Sequence, residues 1–279
     1  MTSISPPVDT EKRFAFGHNW RAFLSRLDEE RIREAQRSLR EMLGVERLAG
    51  ASFLDAGSGS GLFSLAAAGL GARRIHSFDN DPDCVECTRE LKRRYWPAME
   101  SWTIERGSVL DRHYLAGLDE FDVVYCWGVL HHTGNLWRAG ELMTSLVRPE
   151  GKLFIAIYND QGLISWGWTA VKRVHNSGWA GRVLVTGVFV PFFAARDFLR
   201  DLVHLRSPAA RYRQYKKQRG MSMVHDWKDW LGGYPFEVAS RQSVVRFYED
   251  RGFRLIKLKS AGRSLGNNEF VFIRNCPSP

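Results

Sequence analysis

The nine residues Phe53-Leu54-Asp55-Ala56-Gly57-Ser58-Gly59-Ser60-Gly61 constrain this chain more than any other stretch. A short apolar run ends in an acid, glycines alternate with small residues, and Leu62–Leu70 then reads as a helix. Glycines at a strand-to-helix junction let the backbone turn sharply and bring its N–H groups close to a ligand. The dinucleotide fingerprint G-x-G-x-x-G would require glycine where Leu62 stands. The pattern here is D-x-G-x-G-x-G. Asp55, at the strand end, sits badly beside a pyrophosphate and suits a ligand carrying an ammonium group and a sulfonium.

The segments around this loop repeat its rhythm. Ser52–Asp55, Arg74–Phe78, Trp102–Glu105, Asp122–Cys126 and Leu153–Tyr158 are strand-like. Leu62–Leu70, Asp83–Trp96 and Leu136–Leu146 between them are helix-like. Strands alternating with helices imply βαβ units, which wind right-handedly into a parallel sheet covered on both faces. Ahead of them, Phe14–Leu43 reads as helical, with an apolar stripe of Ile32, Ala35, Leu39 and Leu43 and a stop at Gly44. Asp160–Tyr234 is rich in tryptophan and arginine and reads as helices without strands. The rhythm resumes with helix Ser240–Arg251, strand Phe253–Lys259 and strand Glu269–Arg274, the last two paired like a hairpin across Gly262–Asn268. The expected fold is α/β: a doubly wound, mostly parallel, seven-stranded Rossmann-like sheet. Residues 1–48 form an N-terminal helical extension, 49–159 with 235–279 the core, and 160–234 a helical insert.

A second acid follows at the right distance. Ile75-His76-Ser77-Phe78-Asp79 ends in a carboxylate able to accept hydrogen bonds from ribose hydroxyls, and Pro82 opens the next helix. With the segments GSVLD, FDVVYCWGVLHH and LVRPEGKLFIAIYND, the stretch Ser52–Asn159 resembles the core of class I S-adenosylmethionine-dependent methyltransferases. The resemblance implies S-adenosylmethionine as cofactor. It implies that Gly57, Gly59 and Gly61, with Asp55 and Ser58 in the same loop, line the methionine and ribose moieties. Asp79 then binds the ribose hydroxyls with Asn80 beside it, Ser108 and Val109 lie at the adenine, and Cys126 and Trp127 follow the methionyl group. Many relatives carry an acid where Ser108 stands, which leaves Asp111 or a backbone carbonyl to receive the adenine amino group. Gly128 and His131 replace the metal-associated acids of some ubiquinone-pathway O-methyltransferases, so no metal is expected.

The acceptor is less legible. His131 and His132 leave the fourth strand at the carboxyl edge of the sheet, where open α/β folds bind ligands. Either histidine is a candidate general base for an oxygen acceptor, and both also suit a structural role. Tyr158 and Asn159 follow the fifth strand to the same edge and are candidate substrate contacts. So is Trp20, which with Phe14 and Phe16 makes either a lid or simple packing. The Asn/Asp-Pro-Pro-Tyr/Phe box of adenine N-methyltransferases is absent after strand four, which disfavours adenine in nucleic acid.

The net charge of +9 points to an anionic partner without naming one. The insert is the natural place for specificity. It reads as a lid over a small-molecule or lipid-like acceptor, a peripheral contact with an anionic membrane, or a dimerisation or RNA surface. Its longest uncharged run, Val183–Ala195, is too short to cross a bilayer. Cys84, Cys87, Cys126 and Cys276 make neither a disulfide framework nor a zinc set. The start lacks a secretory pattern, and the expected location is the cytoplasm, with peripheral membrane contact. A non-catalytic cofactor- or partner-binding protein on the same fold is the other reading.

Overall fold

The computed structural model describes residues 24, 27–204, 207, 227, 230–262 and 266–276. Trp20, Phe14 and Phe16 lie outside these residues, as do Arg206, Arg211, Arg213, Lys216, Lys217 and Arg219 of the insert.

Helix α1 (Glu29–Leu43) starts where the Asp28 side chain accepts from the Arg31 N–H and stops at Gly44, which adopts φ 64°. Its buried stripe is Ala35, Leu39, Met42 and Leu43. The sheet elements follow: β1 (Ser52–Ala56), α2 (Leu62–Gly69), β2 (Arg74–Asp79), α3 (Pro82–Tyr95), β3 (Trp102–Arg106), α4 (Arg112–Ala116), β4 (Phe121–Trp127), α5 (Leu136–Thr144) and β5 (Val147–Tyr158). Two long helices, α6 (Leu163–His175) and α7 (Trp179–Val203), precede α8 (Arg241–Glu249), β6 (Phe253–Lys259) and β7 (Asn267–Arg274).

The seven strands run in the order β3-β2-β1-β4-β5-β7-β6. β3, β2, β1, β4 and β5 are parallel, and β7 runs antiparallel between β5 and β6. The expected sheet is present, and its closing pair is the predicted hairpin. Every residue of β1 is buried, as a strand covered on both faces requires. One core layer joins Leu54, Val124, Ile155 and Phe272 to α5 and α8. The other joins Phe53, Tyr125 and Phe154 to α1 and α2.

Two elements differ from the expectation. α4 is a single short turn that no apolar period announces; the Asp111 carboxylate caps it by accepting from the N–H groups of His113 and Tyr114. β5 begins at Val147 rather than Leu153 because Arg148–Gly151 loops out within the strand, between the pairs Phe121↔Val147 and Val123↔Lys152. Gly151 is required there, since a Cβ would meet the Phe121 carbonyl at 3.0 Å.

Candidate active site

Because β1, β2, β4 and β5 are parallel, their carboxyl ends share one edge, and the loops after them converge there. In the glycine loop, the N–H groups of Gly57 and Ser58 donate to the Phe78 carbonyl at 2.8 and 3.0 Å, fastening the loop to β2. Gly57, Gly59 and Gly61 adopt φ of 80°, 54° and 80°. A Cβ on Gly57 would stand 2.4 Å from Val129 Cγ2, and one on Gly61 would stand 2.8 Å from Thr88 Cα. These two glycines therefore let the loop close against Val129, just beyond β4, and against α3, a packing role beside the one their motif implied.

Asp79 ends β2 with one carboxylate oxygen accepting from the Gly59 N–H and the other from the Asp81 N–H, each at 2.9 Å. Burial raises its pKa, against the pull of those two amides. Capping of α3 falls to Asp81, whose side chain accepts from Asp83 N–H, so Asp79 does not serve as the helix cap. Asn80 follows on the same turn, and its carbonyl accepts from Arg106 Nε.

Asp55 is almost wholly buried. Its carboxylate ends a directed chain of hydrogen bonds. The Trp102 indole N–H, which can only donate, points at Ser77 Oγ (2.9 Å); Ser77 reaches Ser64 Oγ (2.8 Å); Ser64 donates to Asp55 Oδ2 (2.5 Å). Burial lifts the Asp55 pKa to about 7, Ser64 opposes the rise, and the nearby Asp79 charge adds to it. The chain runs across β3, β2 and α2 into β1, linking two strands and a helix to one carboxyl group.

On the adenine side, Ser108 is half-buried and its hydroxyl accepts from the Leu110 N–H at 3.2 Å, while Val109 is buried in the core. The Asp111 carboxylate caps α4 through one oxygen, Oδ1. At the end of β4, Cys126 is fully buried and its thiol pKa is pushed up by burial, whereas Trp127 is exposed. Gly128, at φ 76°, borders open space.

The acceptor side is built from the turn Leu130–His132, a single 3₁₀ turn. Segment 235–239 clamps it. The Glu237 N–H donates to the His131 carbonyl (2.9 Å), Glu237 Oε1 accepts from the Leu136 N–H (3.2 Å), and Ala239 bridges to Asn159 beside β5. The peptide bond between Tyr234 and Pro235 is cis. His132 Nδ1 lies 2.7 Å from the Pro235 carbonyl, an acceptor only, so Nδ1 carries the proton and the neutral ring keeps its lone pair on Nε2. His131 is buried, with no partner at Nδ1. Its ring centroid lies 4.0 Å from that of Tyr158 and 4.5 Å from that of His132. Burial pushes His132 down to about 4 and His131 well below the usual histidine value, with Lys172 lowering both further.

Tyr158 packs between this pair and Phe236 with tilted or edge-on rings, and burial raises its hydroxyl to about 12. Asn159 is not turned toward the histidines: its amide donates to the Gly262 carbonyl (3.2 Å) and accepts from Asn268 (3.0 Å), so it holds the β6–β7 loop.

Lys172, Trp230, Phe236 and Glu237 were not legible as site residues. Lys172 is buried on α6, donates to the Trp230 carbonyl, and places its Nζ 3.7 Å from the Trp230 ring centroid and 4.8 Å from that of Phe236. Burial drives its pKa well below the ordinary lysine value. In the sequence it is one more basic residue of a basic segment, and only the packing of α6 beside the histidines separates it from the rest. Among the described residues no cluster of histidine, cysteine or acid side chains could hold a metal ion.

Two acids, Asp55 and Asp79, flank the glycine loop at this edge, and the backbone at Gly128 is open. The methyltransferase domain family model matches residues 27–257. The ribosomal protein L11 methyltransferase of Methylococcus capsulatus is 33% identical over 120 residues, covering 42% of this chain and 36% of that protein. The ubiquinone biosynthesis O-methyltransferase of Glaesserella parasuis is 29% identical over 112 residues, covering 40% of this chain and 47% of that protein. The chain thus spans less than half the length of these curated relatives. Among solved structures, magnesium protoporphyrin IX methyltransferase from Synechocystis superposes with a TM-score of 0.53 at 15% identity, over 92% of this chain and 94% of that one. An O-methyltransferase family protein from Burkholderia thailandensis gives 0.54 at 12% identity, over 88% of this chain and 58% of that one. This chain belongs to the methyltransferase domain family, within the class I S-adenosylmethionine-dependent methyltransferases, and its cofactor is S-adenosylmethionine.

Proposed function

We propose that this protein methylates a hydroxyl of a small-molecule or lipid-like acceptor, with His132 as general base and segment 160–234 as the lid that selects the acceptor. In this reading Asp55, Gly57, Ser58, Gly59, Gly61, Asp79, Asn80, Ser108, Val109, Cys126 and Trp127 hold the cofactor, whose sulfonium makes its methyl group electrophilic. The observation that carries the acceptor assignment is the hydrogen bond from His132 Nδ1 to the Pro235 carbonyl, which presents the opposite ring nitrogen as a proton acceptor. His131 and Tyr158 fix that ring by packing on it. A base with a pKa of about 4 is weak. It is adequate here because a hydroxyl oxygen becomes strongly acidic as its new bond to carbon forms, so the proton leaves late. Holding the acceptor in line supplies the larger share of the rate. The nearby Lys172 amine and its aromatic neighbours suit an acceptor with an aromatic part.

Calorimetric titration with S-adenosylhomocysteine tests the cofactor half: saturable binding to the wild type, weakened at least about tenfold in Asp79→Ala, is expected for the loss of buried hydrogen bonds. Failure of folded wild type to bind would refute it. For the acceptor half, His132→Ala is expected to lower kcat by roughly 10²–10⁴ with little change in cofactor affinity. The acid limb of kcat/KM should fall near pH 4 rather than 6.5, because the base works only when unprotonated. Unchanged turnover in that variant would remove His132 from the chemistry.

A further inference from the structure

α7 is built inside out. Its buried positions, Val185, Phe193, Asp197 and Asp201, lie eight, four and four residues apart and carry both of the helix's acids inward. Its outward side is aliphatic and aromatic: Val183, Leu184, Val188, Phe192, Leu199 and Leu202 each expose between 55% and 63% of their surface. At 100° per residue these positions, with the alanines and Pro191 between them, cover about half of the helix circumference, with no exposed charge and only the buried Asp201 at one edge. Over the 25 residues of α7, at about 1.5 Å per residue, that face runs some 30 Å or more. An exposed apolar surface of this extent marks an interaction site.

We infer that this face docks on an anionic lipid bilayer, lying in the interface rather than crossing it. Charge complementarity selects this occupant. Arg182 and Arg200 are exposed at 300° on the same wheel, 60° past the apolar positions, which span about 40–240°, while Arg196 at 260° is held by the buried Asp197 (2.8 Å). The helix turns no acid outward, because Asp197 and Asp201 are buried. That is the pattern of an interfacial helix: apolar residues enter the acyl boundary while arginines meet lipid phosphates. Two copies apposed through the same face would bring like-charged margins together without phosphate to neutralise them. No described helix is long and apolar enough to span a membrane, which agrees with a helix that lies flat. This docking surface stands independently of the methyl-transfer reading.

The test is sedimentation of the full chain with vesicles of phosphatidylcholine alone or mixed with phosphatidylglycerol, with S-adenosylhomocysteine affinity and circular dichroism as folding controls. The expected result is binding to the mixed vesicles, at least about tenfold weaker on phosphatidylcholine alone and weakened by salt. The pair Leu184→Glu and Phe192→Glu, both on the exposed face, should abolish sedimentation and leave cofactor affinity unchanged. Arg182→Glu with Arg200→Glu should remove the preference for anionic vesicles. Folded wild type that ignores both vesicle types overturns the inference, and so does self-association that the Leu184→Glu, Phe192→Glu pair dissolves without any vesicle binding. If vesicle binding fails while cofactor binding persists, the docking surface falls alone.

Discussion

At the residue scale, Asp55 shows how position rewrites chemistry. Its place at the end of β1 made it a candidate partner for a ligand ammonium group. In the folded chain it is buried, receives a directed hydrogen-bond chain from Trp102, and has its pKa lifted from 3.8 to about 7. A carboxyl with a raised folded pKa contributes stability that is complete below its unfolded value and is lost as pH rises through the folded one. Between pH 4 and 7, then, this group makes the protein progressively less stable, and a cation placed beside it would reverse the trend by favouring the carboxylate. Asp55→Asn should flatten the fall in the urea midpoint over that window. It should also weaken S-adenosylhomocysteine binding more at pH 8 than at pH 6. A pH profile of stability identical in wild type and variant would contradict this account. The histidine pair has the opposite sign: pushed down to about 4 for His132, it withdraws stability as pH falls from 6.5 towards 4.

At the scale of elements, the turn Leu130–His132 depends on a segment a hundred residues later. Glu237 accepts from the Leu136 N–H and donates its own N–H to the His131 carbonyl, while Pro235 orients His132. Glu237→Ala should cost about 1–3 kcal/mol, the range for leaving a buried partner unsatisfied, and should lower kcat more than it raises KM because the turn no longer holds its ring. Glu237→Gln keeps an acceptor oxygen and is expected to rescue most of both losses. Chemical denaturation and steady-state kinetics on the two variants separate this positioning role from a merely structural one, since loss of packing alone would not distinguish kcat from KM. The glycine loop was legible because its residue types are demanded locally: φ of 80° at Gly57 and Gly61 is open to glycine at little cost. The clamp was not legible, because nothing at Glu237 signals which carbonyl its backbone will find.

At the scale of the molecule, the sheet and the long helices α6 and α7 rest on different cores. The sheet buries its hydrophobic residues in two continuous layers, while Val185, Phe193 and Leu231 form a small cluster of their own with Trp168 and Phe189 packed on it. Phe193→Ala should therefore remove about 3–5 kcal/mol, the usual cost of truncating a buried phenylalanine, from the helical cluster alone. Hydrogen exchange should quicken through α6 and α7 and stay slow in β1, β4 and β5. Uniform acceleration across the sheet would mean that the two cores unfold as one.

The strand–helix alternation, the glycine loop, the acids at the ends of β1 and β2, and the cap at Gly44 were all written in the sequence, because each is set by residues within a few positions of one another. Backbone sterics, side-chain period and local capping need no distant partner. What the tertiary structure decided is what burial and long-range contact decide. It gave Asn159 and Asp111 structural bonds, turned Lys172 from one basic residue among many into a buried amine beside two histidines, and made the outward face of α7 apolar while its acids turned inward. The charge state of a histidine or a carboxyl, and the side of a helix that meets water, are properties of surroundings that only the folded chain supplies.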